Sequence, residues 1–381
     1  MIKVGISCYK LEEASENEMA GIGRHLFKLL EEISIKPELQ KEFRFYLYFK
    51  SRIPDILFLN NPIFIKKVAK LPFFLPFLRP SFNIYFHIAL PIYCLIDRVA
   101  VTFFPSFMLP AFFLGKSIVV LTNDVYYEYK YGDLPLRYKI SYMLFSNWAA
   151  RRASMITAYT NFAKKEIKKY FRMKDERIEV VPLGIDTDYI KSFLEKNPIP
   201  KENLLLYVGQ GFPRRHLKET IFAFEKVSAK LNNFNFVIIG KDKYNPPIIE
   251  KLIKKTNERL GKRAIVHFNS VKEKELLEFY HKAKVLVYVS SCEAMGLPPI
   301  EALAAKTAPI VADNGLTREI FGENAFFVED PKNIDSFSDK IEEAFTNSQK
   351  YNQIIENRTM VLSKYTWQRH LDQMLNLFRV Q

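Results

Sequence analysis

Val285-Leu286-Val287-Tyr288-Val289, followed by Ser290-Ser291-Cys292-Glu293-Ala294-Met295-Gly296-Leu297-Pro298-Pro299-Ile300-Glu301-Ala302-Leu303, is the stretch that decides the fold. The opening apolar run reads as a strand buried on both faces, the pattern of a parallel sheet. Gly296 then permits a tight turn, and Pro298 or Pro299 suits the first turn of a helix, where a missing N–H costs nothing. A helix that starts just beyond a strand's carboxyl end aims free backbone N–H groups near Leu297, and the positive end of its dipole, at an anion. Glu293 precedes the turn and Glu301 lies in the first turns of the helix, so both carboxylates can flank one ligand. Carboxylates accept pairs of hydrogen bonds and suit sugar or ribose hydroxyls.

The same alternation of strand-like and helix-like runs extends outward in both directions. In the first half, strands are expected at 3–7, 43–49, 99–104, 118–121, 154–158 and 178–181, with helices at 22–33 and 136–152. The second half restarts with strands at 204–208, 235–239, 265–268, 285–289, 309–312 and 325–328, and a helix at 274–283. The pattern predicts an α/β protein of two Rossmann-like, doubly wound domains facing a cleft, with ligands beyond the carboxyl ends of the strands. The join is placed at 187–203, between a first domain over 1–190 and a second over 200–360. A C-terminal helix at 361–381 is expected to pack back toward the first domain, after a break at Tyr365-Thr366-Trp367.

At 381 residues the chain suits two domains of roughly 100–200 residues each. Its 48% apolar and 26% charged residues exclude disordered, fibrous and low-complexity classes. Cys8, Cys94 and Cys292 are widely separated, which gives neither a disulfide framework nor a metal-binding CxxC pair and points to a reducing compartment. No secretory signal is read at the start. The most hydrophobic tract, 71–121, is broken by Pro72, Pro76, Pro80, Pro91, Pro105 and Pro110, which argues against a spanning helix.

The net charge is +14, and residues 137–177 hold +8 of it, with eleven lysines and arginines against Glu166, Asp175 and Glu176. Such a concentration favours an anionic partner: phospholipid, nucleotide or nucleic acid. Tyr138, Tyr142, Phe145 and Trp148 recur at helical spacing, which fits packing rather than a base-stacking platform, and no zinc-finger, KH or RNP pattern is present. A nucleic-acid protein is therefore the distant reading. A doubly wound domain should bury Ile140 and Leu144 somewhere, whereas Lys164, Lys165, Lys168 and Lys169 crowd like charge onto one helix side.

Glu293 and Glu301 with Gly-Leu-Pro-Pro between them resemble the E-x7-E arrangement of retaining glycosyltransferases, here those of family 4 with the two-domain GT-B fold. Other segments agree in order and spacing. Gly21-Ile22-Gly23-Arg24-His25 resembles the family's amino-terminal glycine-rich loop, and 178–186 its signature at the end of the first domain. Tyr207-Val208-Gly209-Gln210-Gly211-Phe212-Pro213-Arg214-Arg215-His216-Leu217 resembles the segment that opens the nucleotide domain, with Arg215 at the usual Lys position and Gln210 where many relatives carry Arg. Asn123-Asp124 stands where the family often has His-Asp, so the role of that His is not carried over to Asn123, while Asp124 keeps its match as an acceptor-side hydrogen-bond partner or weak base. Val271 falls in the turn that lies near the nucleotide base in the family, and Glu319 at a recurrent acidic position read as structural.

The resemblance implies an acceptor-binding first domain and a nucleotide-sugar-binding second one. It implies a retaining hexosyl transfer to a hydroxyl of a glycan or lipid-linked glycan, with Glu293, Arg215, Asp124 and Asn123 at the reaction centre. The donor would be held by Gly21, Gly23, Gly209, Arg214, Arg215, Val271, Glu293, Met295, Gly296, Leu297 and Glu301. The amino-terminal loop most resembles enzymes that use GDP-mannose, with a UDP-hexose as the alternative donor and a sugar-nucleotide epimerase as an alternative enzyme. An epimerase does not need the Glu293–Glu301 block. No metal is expected, because Asp186-Thr187-Asp188 reads as a helix cap or linker charge. The basic segment beside Ile140, Leu144 and Trp148 further predicts docking on an anionic membrane, at the cytoplasmic face.

Overall fold

The computed structural model describes residues 1–12, 21–70, 81–132, 135–196 and 198–380. Residues 71–80 of the Pro-punctuated tract thus lie outside the described residues, as does Asn197 in the expected linker. The chain divides into two compact units, Met1–Gly184 with Trp367–Gln381, and Ile185–Thr366.

The first unit contains β1 (Ile2–Ser7), β2 (Phe43–Phe49), β3 (Phe64–Val68), β4 (Val101–Phe104), β5 (Lys116–Val120), β6 (Met155–Ala158) and β7 (Ile178–Val180). They form one sheet in the order β3-β2-β1-β4-β5-β6-β7, with every neighbouring pair parallel. The second unit contains β8 (Glu202–Val208), β9 (Asn235–Ile239), β10 (Ile265–Phe268), β11 (Ala283–Tyr288), β12 (Ala308–Ala312) and β13 (Phe326–Val328). Their order is β10-β9-β8-β11-β12-β13, again all parallel. Both are doubly wound Rossmann-like sheets. In each, strand order reverses once, between β1 and β4 and between β8 and β11, and such reversals open the crevice that takes ligands.

The strands read as sequence predicts, because a parallel strand is buried on both faces: Leu204–Val208 and Phe326–Val328 are buried throughout. Helices carry a narrower apolar stripe. In Ile22–Ser34 the buried set includes Leu26, Leu29, Leu30 and Ile33, at helical spacing. Each such side chain contributes about 1.5–3 kcal/mol on burial. The strand missed by the periodicity is β3, whose sequence FIKKV interrupts the apolar run with Lys66 and Lys67. It is an edge strand with one neighbour, and lysines there discourage pairing with another chain.

Two expected boundaries are corrected. The units part at Gly184–Ile185, upstream of 187–203, because the helix Thr187–Lys196 packs on the helices Glu273–Lys282 and Leu297–Ala304 of the second unit. His281 Nε2 donates to the Ile190 carbonyl there (3.1 Å). The return to the first unit comes at Trp367 and not 361, since the helix Arg358–Leu362 rests on Leu297–Ala304. The chain break at Tyr365-Thr366-Trp367 is present, and Trp367–Val380 packs on Ile22–Ser34 and β1 within the first unit.

The helix Leu136–Arg152 corrects a third expectation. Its buried residues are Ser146, Ala149 and Ala150, all in the last two turns, while Ile140 and Leu144 are 43% and 59% exposed. Small residues make its contact with the core, so the large apolar ones at 136, 140, 144 and 148 face outward as an i, i+4 stripe. Among the four nearby lysines, Lys164 and Lys168 both pair with Asp175 (3.0 and 3.2 Å), which relieves part of the crowding.

Candidate functional site

Beyond the carboxyl ends of β8 and β11 two loops are stitched together at the point where strand order reverses. The Ser291 N–H donates to the Arg214 carbonyl (2.8 Å), and Arg214 Nε donates to the Cys292 carbonyl (3.0 Å). His216 meets Ser291 Oγ at 2.7 Å. This framework sets Arg215 against Glu293: Nε to Oε1 is 2.6 Å and Nη2 to Oε2 is 3.0 Å, a bidentate pair. Ser290 Oγ donates to the same Oε1 (3.0 Å), and Arg214 Nε stands 3.9 Å from it.

Burial alone would raise the Glu293 carboxyl, yet the charge and hydrogen bonds of Arg215, with Arg214 and Ser290, outweigh it and hold the group below its ordinary value. Glu293 is therefore a fixed carboxylate and a poor proton donor at neutral pH. The Arg215 guanidinium lies over the Tyr288 ring (5.0 Å) and near Phe212 (5.6 Å), and Nη1 donates to the Gln210 carbonyl (3.0 Å). These contacts and the nearby Tyr207 phenol fix the guanidinium in one orientation. Gln210 itself is exposed and serves through its backbone, so its side-chain type matters less than the family comparison suggested.

Close backbone approach explains the glycines here. Gly209 and Gly240 have φ of +135° and +140°, and a Cβ on Gly240 would stand 2.0 Å from the Gly209 carbonyl oxygen. Gly296, with φ +76°, caps the helix Leu297–Ala304, and Pro298 lies in that helix's first turn. Met295 is buried and lines, with Glu293, Gly296 and Asn314, a small cavity of about 20 Å³. Glu301 is buried and accepts a hydrogen bond from Tyr280 (2.8 Å). Val271 follows β10, which β9 and β8 separate from β11. The structure therefore gathers Gly209, Arg214, Arg215, Glu293, Met295, Gly296 and Leu297 around one sheet edge, with Val271 at the far strand.

The remaining expected residues lie in the first unit. Gly21 (φ +57°) caps the helix Ile22–Ser34, and Gly23 is buried in its first turn. Between β1 and that helix the described chain also makes a short helical turn, Tyr9–Leu11, so the glycines do not follow the strand directly. Asn123 and Asp124 open the helix Asn123–Tyr131 after β5, with Asn123 buried and Asp124 half-buried. Burial, then the nearby Asp124 charge, keeps Tyr159 a neutral phenol. The Asp186 backbone carbonyl accepts from the Ile190 N–H, and Asp188 sits in the first turn of Thr187–Lys196, so both lie at a helix start. Among the described residues no cluster of three or more His, Cys, Asp or Glu is arranged to hold a metal ion.

Two family profiles divide the chain between them: Glycosyltransferase Family 4 matches residues 21–189, and Glycosyl transferases group 1 matches residues 190–360. The chain belongs to glycosyltransferase family 4. Relatives include the O-antigen chain mannosyltransferase RfbU of Salmonella typhimurium, 26% identical over 208 residues, which are 54% of this chain and 56% of that protein. O-antigen chain mannosyltransferase B of Escherichia coli is 23% identical over 240 residues, 60% of this chain and 61% of that one. The chain thus matches less than two thirds of the length of either relative. In three dimensions it is similar to sucrose-phosphate synthase from Thermosynechococcus elongatus, with a TM-score of 0.73, 16% identity and coverage of 100% of this chain and 98% of that one. That likeness establishes the GT-B fold.

Tyr280, Tyr288, Phe212, Ser290 and His216 are the site residues that sequence reasoning did not assign. Tyr288 and Ser290 lay inside the decisive stretch, but nothing in their spacing tells a core aromatic from one that carries an arginine.

Proposed function

We propose that this protein transfers a hexose from a nucleoside diphosphate sugar to a hydroxyl of a glycan or lipid-linked glycan, with retention of anomeric configuration. The observation that carries this reading is the Arg215–Glu293 pair with Arg214 beside it, at the reversal of strand order in the second unit. As the glycosidic bond breaks, the leaving diphosphate gathers negative charge. Cations already held in place stabilise that state more than the ground state, because no reorganisation remains to be made. The guanidinium charges of Arg215 and Arg214 and the start of the helix Leu297–Ala304 supply this, while Glu293 orients Arg215 and accepts from a sugar hydroxyl. Glu301 is assigned to the ribose, Val271 to the base, and Gly21 and Gly23 to the diphosphate side. Asn123 and Asp124 are assigned to the acceptor, taken by the first unit. No metal is required in this scheme, because guanidinium groups do the work of a divalent cation.

For the donor we choose GDP-mannose, supported by the mannosyltransferases among the relatives; a UDP-hexose is the second reading. The protein would work as a peripheral protein on the cytoplasmic membrane face. The exposed stripe at 136, 140, 144 and 148 beside basic residues supports this, and no described helix is long and apolar enough to cross a membrane. Thermal-shift titration with GDP, UDP and ADP, each with and without EDTA, tests donor and metal together. The matching nucleotide raises Tm by the linkage RT ln(1 + [L]/Kd). Stabilisation by UDP alone would overturn GDP, and loss of the shift in EDTA would overturn metal independence. The anomeric configuration of the product, read by NMR, decides retention.

A further inference from the structure

The first unit carries a cavity of about 620 Å³ that no part of the transfer reaction uses. It lies at the amino ends of β4 and β5, against Val99, Thr102 and Lys116, and so at the sheet edge opposite the one where the proposed acceptor residues stand. Pro91, Ile92, Val99 and Phe113 form its walls. The polar atoms at its floor satisfy each other, Thr102 Oγ1 donating to Cys94 Sγ at 3.6 Å. A space this size would take on the order of twenty waters at about 30 Å³ each, and each water needs two to four polar partners. These walls offer few. Hydrocarbon is the favoured content, and the volume falls within the roughly 300–1,000 Å³ of ordinary ligand sites.

The rim specifies the rest of the ligand. Leu95, Phe112 and Leu114 are 78%, 68% and 91% exposed, an apolar collar on a surface that water would otherwise cover. Arg98 and Lys116 both line the cavity and are exposed, and among the described residues no lining residue is acidic. An apolar bore with cations at its mouth is complementary to an amphiphile with an anionic head. The cavity also adjoins the outward stripe of the helix Leu136–Arg152. His87 lines the cavity and stacks on Phe145 of that helix (5.8 Å), and Trp148 Nε1 donates to the Pro110 carbonyl (3.5 Å). Stripe and cavity therefore belong to neighbouring segments of one unit.

We infer that this cavity holds one acyl chain of an anionic membrane phospholipid, with Arg98 and Lys116 on its phosphate. Insertion of a chain anchors the protein beyond what surface charge alone achieves, since exposed charges are screened within about 8 Å at physiological salt while each methylene buried in the cavity adds to binding at any salt. The inference shares with the proposed function only the premise of a membrane surface, and it is independent of donor and acceptor chemistry.

The test uses the full chain and myristoyl lysophosphatidylglycerol below its micellar concentration, read by calorimetry and native mass spectrometry. Lysophosphatidylcholine of the same chain and glycerophosphoglycerol without a chain serve as the other arms. The expected result is one saturable site for the anionic lysolipid, at least tenfold weaker binding of the zwitterionic one, and none of the chainless head. Val99→Trp, which fills the cavity, abolishes binding. The surface variant Arg98→Gln/Lys116→Gln removes the anionic preference, and a far-UV circular dichroism spectrum and cooperative melting like those of the wild type show that both variants are folded. Absence of saturable binding overturns the inference, as does binding of equal strength in Val99→Trp or an anionic preference unchanged in the surface variant. If the lysolipid fails to bind while the protein still sediments with phosphatidylglycerol vesicles, the cavity assignment falls and the membrane reading stands.

Discussion

His25 and His370 lie 345 residues apart in the chain and 2.9 Å apart between their Nε2 atoms, buried where the last helix crosses the first. The surrounding bonds fix their tautomers. His370 Nδ1–H donates to the Pro182 carbonyl (2.8 Å), so its Nε2 must accept from His25 Nε2–H. His25 Nδ1 is then left to accept from the Tyr159 hydroxyl (3.4 Å). One more proton breaks this chain. Burial lowers both rings, His25 well below the usual 6.5 with His370 adding to it, and His370 to about 4.

Acid should therefore unfasten the last helix. A histidine whose folded pKa is depressed binds its proton more readily when unfolded, so stability is full above about pH 6.5 and is lost as pH falls toward 4. At 1.36 kcal/mol per pK unit, His370 alone accounts for a loss on the order of 3 kcal/mol by pH 4. Tm measured from pH 7.5 to 4.5 should fall, and His370→Gln should start lower but flatten the decline. An equally steep decline in the variant would exclude the pair as its origin.

Arg215 and Glu293 should be inseparable in their effects. Arg215→Ala leaves a buried carboxylate without its partner, which costs about 3–5 kcal/mol of stability. It should also lower turnover on the order of 10²–10³. Arg215→Lys restores the charge but not the paired geometry, so it should recover part of the Tm and little of the turnover. Steady-state kinetics with Tm on the same preparations checks both, and a fully active Arg215→Lys would refute the bidentate requirement.

Gly240→Ala should destabilise by at least about 2 kcal/mol and weaken nucleotide binding, because its methyl would collide with the Gly209 carbonyl, next to Arg215. Gly261 makes a matched control: its φ is +64°, but nothing lies within 4 Å of its would-be Cβ. Gly261→Ala should cost only the left-handed strain, about 1 kcal/mol. Urea midpoints for the two variants should differ in that order.

The outward stripe should matter for membranes and not for folding. Ile140→Ser/Leu144→Ser alters residues that are 43% and 59% exposed, so Tm should stay within the change expected of surface substitutions, about 0.5 kcal/mol. Co-sedimentation with anionic vesicles should drop several-fold, and the wild-type interaction should weaken as salt rises. Equal recovery of variant and wild type would assign the stripe to another partner.

The sequence by itself determined the architecture. Parallel strands are buried on both faces, so the runs at 43–49, 204–208 and 235–239 could be read from composition alone and fall on β2, β8 and β9. It also located the loop from Ser290 to Gly296, because a strand that ends in a glycine turn before a proline-started helix can be built in few ways. Tertiary structure decided what depends on partners distant in the chain. Sequence placed Glu293 in the loop beyond a strand's carboxyl end, but only the adjacency of β8 and β11 brings Arg215, 78 residues away, onto both its oxygens and so keeps it ionised. Sequence gave Ile140 and Leu144 to the core by their hydrophobicity. The fold turned them outward because Ser146, Ala149 and Ala150 already fill that helix's contact with the core, and periodicity records the apolar face of a helix without recording what that face meets.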